Sequence, residues 1–284
     1  MKNVIEVRSK KKIDLARVPT RPKRIPSGEA EIANALKENR ERLSELQEKL
    51  YASQEPAVLI IFQGMDTSGK DGAIKNVMAG VNPQGCKVTT FKAPSAQELD
   101  HDFLWKATTA LPARGEIGIF NRSYYEEILI THVHPELLKH ERLPDRSFGP
   151  KFWRKRYDDI LHFEQHLHRQ GYEIIKIFIH ISKDEQKKRL LSRFENPKKL
   201  WKIDRSDIRE RSYWDKYQTA YEKCMGNTAS KQAPWYLVAG DDKEQARLAI
   251  SEIVRDRLES LNLKFPRLNR AQHAKLLKLK SMLK

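Results

Sequence analysis

Along the chain the spacing of hydrophobic positions changes twice, and each change predicts a different kind of element. In "SGEAEIANALKENRERLSELQEKLYA" the residues Ile32, Leu36, Leu43, Leu46 and Leu50 return on one helical face, which predicts an amphipathic helix over about 28–52. Ser27 stands where an N-cap belongs. Such a helix docks on something by its apolar side. The first 27 residues are charged, rich in Arg, Lys and Pro, and keep no period, so they predict an extended basic arm.

From residue 57 short apolar runs alternate with helical patterns. "AVLIIF" reads as a buried strand, "KDGAIKNVMAGV" as a helix and "CKVTTF" as a second strand. "SAQELDHDFLWKATTAL" reads as one helix, and "EIGIF" as a third strand running into "NRSYYEE". A helical stretch over about 151–169 leads to the strand "YEIIKIFIHI". "APWYLV" closes the strand set before the amphipathic helix "DKEQARLAISEIVRDRLESL" and a basic tail over 263–284. Strands separated by helices predict an α/β fold with a parallel sheet covered on both faces. In such sheets ligands bind at the carboxyl ends of the strands, where "GMDTSGK" and "NRSYYE" both fall.

Composition narrows the class. With 284 residues, 39% of them hydrophobic, the chain can bury one core and predicts a single domain over 53–262 with extensions at both ends. No apolar run approaches the roughly 20 residues of a bilayer helix. The basic N-terminus lacks the apolar segment of a secretory signal, so a soluble, cytoplasmic protein is expected. Cys86 and Cys224 stand far apart without metal-ligand spacing, which argues against a disulfide framework or a zinc site. The excess of 54 Lys and Arg over 38 Asp and Glu, a net charge of +16, points to a polyanionic partner.

The chemistry concentrates in two places. Gly64, Gly69 and Lys70 satisfy the phosphate-loop spacing, but Asp71 stands where a Ser or Thr normally meets magnesium. Asp66 inside the loop, with or without Asp71, would meet a phosphate through Mg²⁺, with Mn²⁺ able to replace it. Asp71 is equally suited to the positive end of the following helix. In the second place, Asn121 ends a strand, Arg122 can fork onto phosphate oxygens, and Glu126 could hold a metal or its water. Ser123 and Glu126 also have the spacing of a capping box.

Together "GMDTSGKDG", "GVNPQGCKVTTFKAPSAQE", "GEIGIFNRSYYEE", "HISKDEQKKRL" and "APWYLV" resemble the polyphosphate kinase 2 family over about 30–262. The resemblance implies a P-loop kinase-like three-layer sandwich with a central parallel sheet and a helical lid, similar to thymidylate kinase. It also implies Mg²⁺-dependent phosphoryl transfer between inorganic polyphosphate and a nucleotide, AMP, ADP or ATP or their guanine counterparts, in a homo-oligomer of two or four chains. Asp66, Lys70, Asn121 and Arg122 match the family's metal and phosphate positions. Many members carry Asp at the place of Asn121, and the departure resembles the subgroup that accepts AMP as well as ADP.

A lid is expected at about 186–216, where Lys187, Arg189, Arg193, Lys198, Lys199, Lys202, Arg205 and Arg209 cluster and Pro197 marks a break. On this reading Asp66, Lys70, Arg122, Glu126 and Arg193 form the catalytic set, and Asp66, Asn121 and Glu126 hold metal. Gly64, Thr67, Ser68, Gly69, Lys70, Asp71, Lys75, Arg122, Arg189, Arg193, Lys202, Arg205 and Arg209 take the phosphates, with Arg189 and Arg193 on the transferred group. Asn82 and Pro83 in the "GVNP" turn, with Asn121 and Tyr125, take the nucleotide. His162, His166 and His168 lack the zinc-protease order, and Trp153, Trp201 and Trp214 are expected to pack. Two other classes remain open: an ATP-dependent nucleoside or polynucleotide kinase, and a basic nucleic-acid-binding protein, although no recognition pattern for nucleic acid or membrane is present.

Overall fold

The structure, a computed structural model, describes residues 4–22, 28–144 and 147–283. In chain order its elements are β1 (Val4–Val7), α1 (Glu29–Ser53), β2 (Ala57–Gln63), α2 (Lys70–Val77), β3 (Cys86–Thr90), α3 (Ala96–Leu99), α4 (Trp105–Ala110), β4 (Ile117–Asn121), α5 (Glu126–Val133) and α6 (Pro150–Arg169). Then follow β5 (Tyr172–His180), α7 (Lys183–Phe194), α8 (Arg205–Ser212), α9 (Trp214–Thr228), β6 (Trp235–Ala239), α10 (Lys243–Ser260) and α11 (Arg270–Ser281).

Six strands form one sheet in the order β1-β6-β5-β2-β4-β3. All neighbours run parallel except β1, which pairs antiparallel with β6. The central β2 is buried at every position, as its unbroken apolar run requires of a strand covered on both faces. Helices α1, α2 and α10 pack on one side; α5, α6 and α9 pack together on the other. The expected face of α1 is the docked one, with Ile32, Leu36, Leu43, Leu46 and Leu50 buried. Its proposed cap, Ser27, lies outside the described residues.

Four local expectations are corrected. The first residues are more than an arm: β1 extends the sheet, Val7, Ile13 and Leu15 are buried, and Lys11 N donates to Gly226 O at 3.1 Å. The helix expected over 95–111 is two, because Ser95 and Glu98 close a capping box on a single turn and Asp102 then starts another by accepting from Leu104 N. Helix α2 ends at Val77, and the chain leaves through Gly80 at φ +91°. The basic tail contains a helix, α11, capped by Asn269 and Gln272 and exposed throughout. Among the described residues no helix is long and apolar enough to cross a membrane.

Candidate active site

Gly64 ends the central strand at φ +150°, and a Cβ there would lie 2.7 Å from Ile179 O, so only glycine lets the chain turn away from the sheet at this point. The loop then passes Thr67 at φ +62° and Gly69 at φ +104° before α2 begins with Lys70. The hydroxyls of Thr67 and Ser68 are buried and have no hydrogen-bond partner within the protein. Buried hydroxyls without partners are costly, and in a loop that leads into a helix N-terminus they suit an anion.

Lys70 is buried and donates to Gly64 O at 2.6 Å and Met65 O at 3.2 Å. Burial, reinforced by the nearby Arg122 guanidinium, pushes its ammonium down to about 8. Arg122 follows β4 at φ +63° and donates to Asp66 Oδ1 at 2.5 Å and Glu126 Oε2 at 3.5 Å. Burial raises the Glu126 carboxyl above the usual carboxylate range, opposed by Arg122 and Lys70. Ser123 does not close the expected capping box: its hydroxyl accepts from Tyr125 N, and Glu126 turns to Arg122. Asp71 does not cap α2; it is exposed in the first turn, accepts from Asn121 Nδ2 at 2.8 Å and lies 3.9 Å from Lys202.

Asp66, Thr67, Ser68, Lys70, Asp71, Asn121 and Arg122 line a cleft of about 960 Å³, whereas Gly64 and the expected metal ligand Glu126 line a separate small cavity behind Asp66 and Arg122. The cations of the cleft are Lys70, Lys92, Arg122, Arg189, Arg193, Lys199, Lys202, Lys243 and Arg247; its carboxylates are Asp66, Asp71, Asp204 and Asp207. The cationic excess extends well beyond the phosphate loop. Lys243 is lowered by burial and by the charges of Arg189, Lys199 and Arg247, the signature of a site short of anions.

Arg193 reaches the cleft while donating to Asp207 Oδ2 at 2.6 Å and Lys202 O at 2.9 Å. Arg189 lines the cleft, but its guanidinium is committed to carbonyls: Ser68 O at 2.7 Å, Thr67 O at 3.1 Å and Gly240 O at 2.6 Å. It braces the phosphate loop against the end of β6. Lys75, Arg205 and Arg209 do not line the cleft; Lys75 is exposed on α2 and Arg209 pairs with Glu210. Asn82 and Pro83 also fall elsewhere, because the turn after α2 returns to the amino end of β3, the edge of the sheet opposite the loop. Tyr125 is fully buried, with its hydroxyl on Glu164.

Of the tryptophans expected to pack, Trp214 is buried and Trp153 stacks on His132, whereas Trp201 is 78% exposed at the cleft. His162, His166 and His168 are exposed on α6. Lys92, Lys243 and Arg247 were not expected. The last two stand at the start of the helix that follows β6, so its position after a strand's carboxyl end carried the signal. The donor set fits Mg²⁺: Asp66 and Asp71 offer hard oxygens beside the loop, and this ion keeps waters and phosphate oxygens as its other ligands. Among the described residues no group of three or more His, Cys, Asp or Glu could hold a metal alone.

The family model for polyphosphate kinase 2 matches residues 27–266. An ADP-polyphosphate phosphotransferase of Rhodopseudomonas palustris is 50% identical over 96% of this chain and 94% of its own. An AMP/ADP-polyphosphate phosphotransferase of Meiothermus ruber is 41% identical over 79% of this chain and 80% of its own. The crystal structure of polyphosphate kinase 2 from Arthrobacter aurescens superposes with a TM-score of 0.84 at 36% identity, covering 96% of this chain and 95% of that one. With the acidic phosphate loop and the Asn121–Glu126 turn at the carboxyl ends of adjacent strands, this chain belongs to the polyphosphate kinase 2 family.

Proposed function

We propose that the protein transfers a phosphoryl group between inorganic polyphosphate and AMP or ADP, forming ADP or ATP, with guanine nucleotides as further acceptors and with reversal from the triphosphate. The observation that carries this reading is the length of the cationic wall: Lys199, Lys202, Lys243 and Arg247 continue past the phosphate loop, farther than a single phosphate group needs. A chain of phosphates neutralises such a wall along its length.

In this reading the end of polyphosphate lies at the loop amides, the Thr67 and Ser68 hydroxyls and Lys70. Lys70 exchanges its two carbonyl partners for phosphate oxygens, and Arg122 pivots from Asp66 onto the transferred group. Mg²⁺ held by Asp66 and Asp71 would supply charge neutralisation between phosphates. The acceptor's terminal phosphate oxygen is already anionic, so positioning and charge stabilisation suffice and no strong base is required. Arg193, fixed by Asp207, approaches from the α7–α8 segment, which we assign as the lid. A neighbouring cavity of about 310 Å³, lined by Pro94, Glu98, Asp100, Phe103, Lys106 and Glu127, is the place for the nucleoside. It follows directly in the chain on Thr90, Phe91, Lys92 and Ala93, which line the cleft.

The test incubates purified protein with Mg²⁺, long-chain polyphosphate and either AMP or ADP, and separates the nucleotides by ion exchange. The expected result is product only with polyphosphate, from both acceptors, and near abolition in a folded Lys70→Ala variant. Phosphorylation by ATP of a nucleoside, with none from polyphosphate, would overturn the assignment.

A further inference from the structure

Behind the Arg122 turn lies a buried ion pair that the cleft does not use. Lys176, in the middle of β5, has no exposed surface and donates to Glu164 Oε2 at 2.7 Å, Thr228 O at 2.8 Å and the Tyr125 hydroxyl at 3.1 Å. All three ammonium protons are placed. Glu164, on α6, accepts on its other oxygen the hydroxyls of Tyr124 at 2.8 Å and Tyr125 at 2.6 Å. Two consecutive side chains, immediately after Arg122 and Ser123, are thus tied to one carboxylate oxygen.

Stability alone does not account for this pair. A buried ion pair is often no more stabilising than apolar side chains of equal volume, whereas a satisfied polar network fixes direction. Direction is what the turn needs, since Arg122 at φ +63° occupies a conformation that costs a residue with a side chain. From the opposite side Gln63, fully buried at the end of β2, meets the same turn. With its amide oriented to satisfy its neighbours, it accepts from Ser123 Oγ at 3.1 Å and donates to Glu126 Oε1 at 2.9 Å.

We propose that Glu164 and Lys176 are positioning residues for phosphoryl transfer: through the Tyr124 and Tyr125 hydroxyls they hold Arg122 in its left-handed conformation, with its guanidinium between Asp66 and Glu126. The proposal rests on the cleft being the transfer site. Neither residue touches substrate. Their effect is on where Arg122 stands.

Tyr124→Phe/Tyr125→Phe removes both hydroxyls and keeps the rings. In it kcat should fall about 10- to 100-fold, the size of loss expected when a catalytic group is displaced by about an ångström. KM for polyphosphate should change by less than about threefold and the near-UV circular dichroism should be retained. Glu164→Leu/Lys176→Met removes the shared acceptor and its partner charge at similar volume, and its kcat should fall by a similar factor. Hydrogen exchange of the amides over 121–127 gives a readout independent of turnover. It should accelerate about tenfold in the tyrosine variant, with β5 unchanged, and also in the Glu164→Leu/Lys176→Met variant. Parent-like kcat or parent-like exchange in the tyrosine variant would overturn the proposal, as would a loss that merely follows the fraction folded. If the parent protein itself transfers nothing from polyphosphate, the functional reading fails, while the exchange data still decide whether this network holds the turn.

Discussion

The charge state of Lys70 responds to an anion in the cleft. In the structure the residue is buried on two carbonyls, and burial holds its ammonium at about 8 instead of 10.5. An anion beside it favours the charged form, so binding raises this value and the protein takes up a proton between about 8 and the ordinary lysine range. Tripolyphosphate titrated calorimetrically at pH 8.5 in buffers of different ionisation enthalpy should show net proton uptake, reduced in Lys70→Met. Equal uptake in both proteins would assign the proton elsewhere. At this scale the sequence was legible where the site depends on local spacing: Asp66, Gly69, Lys70 and Arg122 meet in one cleft. It was not legible where function depends on which end of a strand a turn reaches, or which side of a turn is buried. Asn82, Pro83 and Tyr125 failed for those two reasons.

Between elements, the cleft is assembled from the start of α2, the end of β4, the α7–α8 segment and the first turn of α10. Arg189 joins three of these regions through carbonyls of the loop and of the β6 end, with Gln186 on Asp66 O at 3.1 Å beside it. Lys243 and Arg247, one helical turn apart on α10, face the same space. If they hold the more distant phosphates, Lys243→Ala/Arg247→Ala should raise KM for long-chain polyphosphate about tenfold, and KM for tripolyphosphate and for the nucleotide by less than about threefold. An equal rise for both chain lengths would place the pair at the reacting end. The strands β2, β4, β5 and β6 could be read because each is a short apolar run between polar turns. The separation of α3 from α4 could not, because hydrophobic spacing survives a break that Asp102 makes through its own side chain. Likewise, Lys and Arg at the start of α10 look like a solvated helix face until the strand order places them beside the loop.

For the molecule as a whole, part of the charge of +16 lines the cleft, where nine cations face four carboxylates, and a further basic helix, α11, is exposed along its length. Binding of a long polyanion to such a surface releases counterions, so KM for polyphosphate should climb steeply with KCl between 50 and 200 mM, much more steeply than KM for the nucleotide. A salt-independent KM would show that few of these cations touch the chain. The composition alone made a polyanion legible; it could not show that the cations line one cleft, because that arrangement comes from residues scattered between Lys70 and Arg247.

One feature of the sheet also bears on how the molecule is made. Among the described residues the first strand has one ladder partner, β6, the last strand of the sheet in chain order, with Val4 opposite Val238. Synthesised long before β6, β1 has no ladder partner until β6 has followed it. The parallel core of β2, β4 and β5 needs no such wait, and domains generally fold as their residues become available. Docking of β1 therefore waits for β6, and until then its unpaired backbone stays open to proteolysis.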